Sequence, residues 1–133
     1  MINPADGTSL GSLPDCDEND TKRAIEAATK AFESWSTTTA KSRSILLRKL
    51  YEAQLTEQQG LAELMTKEMG KPIRESLGEI NYGASFIEWF AEEARRMNGE
   101  IIQSPWQDKM IMYLKQPVGP VGIITPVSWF IFK

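Results

Sequence analysis

The stretch Gln116-Pro117-Val118-Gly119-Pro120-Val121-Gly122-Ile123-Ile124-Thr125-Pro126 decides how the rest of the chain is read. Residues 121–125 form a short apolar run bounded by breakers, the pattern of a strand buried on both faces of a sheet. Such a strand needs a neighbour on each edge and cover on each face. Residues 127–133 follow it, and the sequence before it supplies few strands. The expectation is an incomplete α/β fold, a mainly helical segment followed by short C-terminal strands.

Moving upstream, Ile101-Ile102 and Met110-Ile111-Met112-Tyr113-Leu114 read as strands parted by a turn at residues 104–109. Asn98-Gly99 closes a long helix that Pro72 opens. Its apolar stripe is Ile73, Leu77, Ile80, Ala84, Ile87, Ala91 and Ala94, with Phe86 and Phe90 beside it. Gly78 and Gly83 interrupt that helix and would allow another element to approach closely. Gly70 suits the left-handed position after a preceding helix through Leu61, Leu64, Met65 and Met69. Thr56-Glu57-Gln58-Gln59 reads as the capping box that starts it. Thr39 is expected to cap a helix with an apolar face of Leu46, Leu47, Leu50 and Leu55. Asp17, supported by Asp20, is expected to cap a first helix marked by Ala24, Ile25, Ala28, Phe32 and Trp35. Short extended pieces flank a turn at Asp6-Gly7.

Composition narrows the chemistry. The 133 residues are 41% hydrophobic and 25% charged, as in a soluble globular chain. A net charge of −3, with basic residues scattered among acids, speaks against nucleic-acid binding. The absence of histidine removes Ser-His-Asp and Cys-His pairs and most zinc and iron sites, so no metal site is expected. Cys16, the single cysteine, lies between Asp15 and Asp17, whose carboxylates disfavour a thiolate; it reads as inert. The opening residues resemble no targeting segment, and no apolar run is long enough to span a bilayer. A cytoplasmic location and no membrane partner are expected.

Several local patterns invite function, and each has a plainer explanation. Glu88 and Glu92 share a helix face and could form a carboxylate pair, but Glu92 stands four residues before Arg96, an ordinary surface pairing. Gly70-Lys71 lacks the earlier glycine and the following Ser or Thr of a phosphate loop. Gly119 and Gly122 fall short of the dinucleotide fingerprint. Trp35, Trp89, Trp106 and Trp129, with Phe86 and Phe90, suit a core or a subunit contact better than a base-stacking platform.

Four segments in order do carry information together: Ile2-Asn3-Pro4-Ala5-Asp6-Gly7, Ala27-Ala28-Thr29-Lys30-Ala31-Phe32, Glu68-Met69-Gly70-Lys71-Pro72, and the stretch from Gln116 to Pro126. They resemble the aldehyde dehydrogenase superfamily, collinearly from Ile2 to Pro126. The helix Ser85-Phe86-Ile87-Glu88-Trp89-Phe90-Ala91-Glu92-Glu93-Ala94 is most similar to the succinate-semialdehyde dehydrogenase branch. The resemblance implies oxidation of a semialdehyde to a carboxylic acid, in 4-aminobutyrate breakdown, with hydride passed to NAD or NADP. A cysteine thiolate attacks the aldehyde and a glutamate activates water on the resulting thioester. An asparagine amide and a backbone N–H hold the oxyanion.

The same resemblance places that nucleophile and glutamate beyond Lys133, so Cys16 does not inherit the role and no catalytic residue is assigned. It makes residues 1–126 a partial N-terminal region, a helical layer and then strands entering the cofactor domain. It puts Ile124, Thr125 and Pro126 at the border of the cofactor. Residues 127–133 depart from the family pattern, and Ser128 stands where the oxyanion asparagine is due. Val127-Ser128 is also what the intron-start sequence GTAAGT encodes, which suggests a retained intron or a gene model that missed a splice. The expectation is a fragment of the parent enzyme, inactive alone, weakly stable, and binding no cofactor tightly. The alternative is a helical interaction module that associates with full-length subunits and perturbs their assembly.

Overall fold

A computed structural model describes residues 1–125. Four helices, α1 (Glu18–Trp35), α2 (Ala40–Thr56), α3 (Gln58–Met69) and α4 (Ile73–Glu93), precede two short strands, β1 (Glu100–Ile102) and β2 (Ile111–Tyr113). A turn of 3-10 helix, Ala94–Arg96, closes α4.

Local chemistry sets the helix starts. The Asp17 side chain accepts from the amides of Asn19 and Asp20, and Asp20 accepts in return from the Asp17 amide, a closed capping box. These amides, Asp20 first, hold the Asp17 carboxyl below its ordinary range. Thr39 caps α2 by accepting from the Ser42 amide at 3.1 Å. Gly70 ends α3 in the left-handed region, φ 73°. An added Cβ there would lie 2.9 Å from Pro4 Cγ, so the N-terminal turn packs on this glycine. That turn is a small hairpin bridged between Ile2 and Ser9 around Gly7.

The expected box at Thr56 does not form. The Thr56 hydroxyl donates back to the Glu52 carbonyl at 2.9 Å, and Glu57 joins α2 to α3 with no side-chain cap. A hydroxyl inside a helical turn reaches the carbonyl four residues before it as readily as the next helix's amides. Pro72 stands just before α4 rather than within its first turn.

The core is small and lies between α3 and α4: Ala62, Met65 and Ile80, with Leu61, Met69 and Leu77 against it. On α4 the expected stripe is buried at Ile80, Ala84 and Ala91, and Gly83 is buried too. Gly78 faces open space, so only one of the two glycines lies in a packed position. On α3, Ala62 takes the buried place and Leu64 turns out, 39% exposed. Helix α1 buries no residue, so its apolar stripe stays uncovered, with Ile25 58% exposed. Leu46 and Leu50 of α2 are likewise about half exposed.

Strands β1 and β2 pair antiparallel, Ile101 opposite Met112. Gly99 permits their approach, because a Cβ there would run into the Tyr113 carbonyl oxygen. Residues 121–125 form no strand and are not buried: Val121 and Ile123 are more than two-thirds exposed. The sheet of the described residues holds only β1 and β2, and residues 121–125 do not join it, so this run lacks the strand neighbours it needs.

Candidate functional site

The residues singled out from the sequence do not converge. Ile124 is fully exposed and Thr125 half-buried, on an irregular extended segment. Pro126 lies outside the described residues, as do Ser128 and Trp129. A dinucleotide needs a strand, a tight turn and a helix N-terminus that offers amides to the phosphates. Whatever follows Thr125 lies outside the described residues; Gly119 (φ 129°) and Gly122 lie in open space.

Cys16 is an exposed free thiol. No group of His, Cys, Asp and Glu among the described residues could hold a metal. No helix of the described residues is long and apolar enough to cross a membrane.

Two charged constellations do form, and both join helices. Glu88 and Glu92 share a face as expected, but their partner is Arg48 of α2, at 2.8 Å and 3.3 Å. Glu92 therefore does not pair with Arg96, which reaches Glu93 instead. The hydrogen bond that Arg48 donates to Glu88 raises the Arg48 pKa, and the nearby charges of Glu88 and Glu92 add to it. Arg48 also lies 5.5 Å over the Tyr51 ring. An open cleft of about 680 Å³ lies alongside, lined by Ser44, Ile45, Arg48, Lys49, Glu92 and Arg95. It contains no nucleophile paired with a base.

The second constellation is buried and was not foreseen. Lys71 pairs with Glu79, whose side chain is only 4% exposed. The other carboxylate oxygen, Oε1, is buried and has no hydrogen-bond partner among the described residues. Beside it the Thr66 and Ser76 hydroxyls share a hydrogen bond of 2.8 Å. Together these polar groups fasten the Gly70-Lys71-Pro72 turn to α4. The available signal was the pairing of opposite charges eight residues apart, which becomes a contact only once the chain reverses.

The aromatic residues stay out of the core. Trp35, Trp89 and Trp106 are 47%, 63% and 56% exposed, and Phe90 57%. Phe86 meets Tyr82 edge-on at 4.9 Å between ring centroids. Core burial is thus excluded within the described chain, and the contact role remains. A groove of about 610 Å³ shows the same incompleteness. It runs between the end of α1, α2 and residues 115–117, and is lined by Trp35, Leu46, Leu47, Leu50 and Met97.

The sequence model described as the aldehyde dehydrogenase family matches residues 1–129. A succinate semialdehyde dehydrogenase of Acinetobacter baylyi is 52% identical over 126 residues, 95% of this chain and 26% of its own length. A glutarate-semialdehyde dehydrogenase of Pseudomonas putida is 50% identical over the same shares. The crystal structure of succinate-semialdehyde dehydrogenase from Burkholderia pseudomallei superposes with a TM-score of 0.85 at 44% identity, covering 90% of this chain and 25% of that one. The chain spans about a quarter of the length of the relatives it matches.

Proposed function

We propose a function from a plain premise: this chain belongs to the aldehyde dehydrogenase family. It is the N-terminal part of an NAD(P)-dependent enzyme that oxidises a short semialdehyde to its carboxylic acid, with succinic semialdehyde the favoured substrate. Activity resides in a polypeptide of the relatives' full length, and these 133 residues alone are inactive and hold no cofactor tightly. The parent works in the cytoplasm, and its partners are its substrate and its own subunits, not nucleic acid or membrane.

One observation carries the reading. Half of the residues over 126 positions are shared with semialdehyde dehydrogenases, while only about a quarter of their length is spanned. Hydride transfer from an aldehyde needs a thiolate to hold the carbon and a formed pocket for the nicotinamide. The described residues bring together neither. The helices instead supply a layer that packs beside a cofactor sheet, with Ile124, Thr125 and Pro126 at its cofactor edge.

The test is an assay of reduced nucleotide formation with succinic and glutaric semialdehydes, each with NAD and with NADP. The purified 133-residue chain is expected to give no signal above buffer. A polypeptide continuing it to the relatives' length is expected to prefer succinic semialdehyde. Turnover by the short chain, with contaminating enzyme removed, would overturn the proposal, and preference for the longer substrate would move the assignment to glutaric semialdehyde.

A second reading draws on the β1–β2 hairpin. It is a two-stranded sheet with exposed Ile101, Met110 and Met112, and an outer edge of each strand is unpaired in that sheet. Through this hairpin the chain would associate with full-length subunits and perturb their assembly. Co-expression with the parent, read as lost activity together with co-purification, tests that reading.

A further inference from the structure

The chain carries four asparagines, and three of them are held. Asn3 precedes Pro4, and its Oδ1 accepts from the Ala5 amide at 2.9 Å. Asn19 lies in the first turn of α1 and donates from Nδ2 to Asp17 at 3.2 Å. Asn81 lies within α4, and its Oδ1 accepts from Gln58 Nε2 at 2.8 Å. Asn98 differs on each count. It is exposed and stands between the 3-10 turn at Ala94–Arg96 and β1, outside any helix or strand. Its backbone amide donates to the Arg96 carbonyl at 2.8 Å, while its side chain has no hydrogen-bond partner among the described residues. The residue after it is Gly99.

Gly99 is required by packing. A Cβ there would run into the Tyr113 carbonyl oxygen, at the first pair of the β1–β2 register, Glu100 opposite Tyr113. The contact that demands a residue without a side chain at position 99 also removes the side chain that would hinder its backbone nitrogen.

We propose that Asn98 is a site of spontaneous deamidation and isoaspartate formation. The Gly99 nitrogen, once hydroxide has taken its proton, attacks Asn98 Cγ. A C–N bond forms, the Cγ–Nδ2 bond breaks, and ammonia leaves from a cyclic succinimide. Water then opens the ring at either carbonyl. One opening leaves aspartate; the other leaves isoaspartate, in which the main chain runs through the former side chain. Nothing is oxidised or reduced, and only water and hydroxide are consumed. The other asparagines are protected. Pro4 has no N–H to lose. The Asp20 amide is already donating to Asp17, and the amide after Asn81 lies in the hydrogen-bond ladder of α4. Isoaspartate adds a methylene to the main chain immediately before Gly99. The lengthened backbone cannot hold Gly99 against Tyr113 with Glu100 still in register, so the hairpin loosens from that end.

The experiment ages the purified 133-residue chain in buffers of neutral and mildly alkaline pH and follows it by tryptic digestion and mass spectrometry. Cleavage after Arg96 and Lys109 isolates residues 97–109, and fragmentation places the change at position 98 rather than at Gln103 or Gln107. Aspartate and isoaspartate are expected to accumulate there, in proportion to hydroxide concentration, while Asn3, Asn19 and Asn81 stay intact. Asn98→Gln, an exposed change that disturbs no contact, is expected to abolish the conversion. The isolated 97–109 peptide is expected to age at nearly the rate of the folded chain, because the fold leaves this site open. Amide exchange across residues 100–102 and 111–113 is expected to quicken in the aged chain and not in aged Asn98→Gln. An Asn98 that persists, or converts no faster than Asn19 and Asn81, overturns the proposal. Conversion much slower in the folded chain than in the peptide would also overturn it, since the fold would then be shielding the site. Unchanged hairpin exchange in fully converted chain would overturn the link to the β1–β2 register.

Discussion

The α3–α4 hairpin and the segment after β2 are both rich in branched apolar residues, yet they reach opposite states. In the hairpin Met65 and Ile80 are sealed from solvent, and even Glu79 is drawn inside. In the later segment Ile123 is 78% exposed and Ile124 fully so. A helix closes its backbone hydrogen bonds within itself and needs only one apolar face covered, which a neighbouring helix of the same chain can do. A strand leaves its amides and carbonyls pointing sideways and is complete only between other strands. The helical layer can therefore form within these residues, while the sheet element waits for partners.

Four perturbations would break or sharpen that contrast. The largest effect is expected at the buried ion pair. Lys71→Ala strands the Glu79 carboxylate and should cost the α3–α4 unit about 3 kcal/mol, read as faster amide exchange in both helices. Replacing Lys71 and Glu79 together by Met should recover most of it, and a harmless single substitution would show that the hairpin rests on its apolar core alone. Next is Gly70→Ala, which forces a side chain into the left-handed region and against Pro4. A loss of about 1–2 kcal/mol is expected; an unchanged urea midpoint would mean that the N-terminal turn does not bear on the hairpin.

The cap of α1 comes third. Asp17→Ala should lower the stability of α1. The folded carboxyl titrates below its ordinary value. The cap's contribution is therefore complete above the unfolded pKa of about 3.9 and is lost as pH falls through the lower folded value. Helicity followed by circular dichroism should drop in that acid window, and the alanine variant should lack the step. The smallest effect is expected at Ile124→Ser, within about 0.5 kcal/mol in this chain because nothing covers the side chain. In a polypeptide that completes the sheet the same change should cost about 2 kcal/mol. Equal effects in both would deny that the segment is an unfinished strand.

What was legible beforehand is whatever local chemistry fixes. Asp17 and Thr39 cap helices because each side chain reaches amides two or three residues on. Gly70 ends α3 because only glycine turns left there at no steric cost. The α4 stripe is periodic, and a neighbour buries it at Ile80, Ala84 and Ala91. Contacts between distant residues were less legible. Arg48 meeting Glu88 and Glu92 joins positions 40 and 44 apart. Ala62 displaced Leu64 from the core because the rotation of α3 against α4 is set by both helices, not by either sequence alone.

Sequence by itself determined the caps at Asp17 and Thr39, the end of α3 at Gly70, the presence of two strands after Gly99, and, through ordered motifs, the family. Only the tertiary structure decided which apolar residues are inside, that Lys71 and Glu79 are joined, and that residues 121–125 stand without a sheet. Caps, turns and periodicity are settled within a few residues by short-range hydrogen bonds and backbone sterics. Burial and strand pairing depend on surfaces brought from elsewhere in the chain, and at residues 121–125 the described chain brings none.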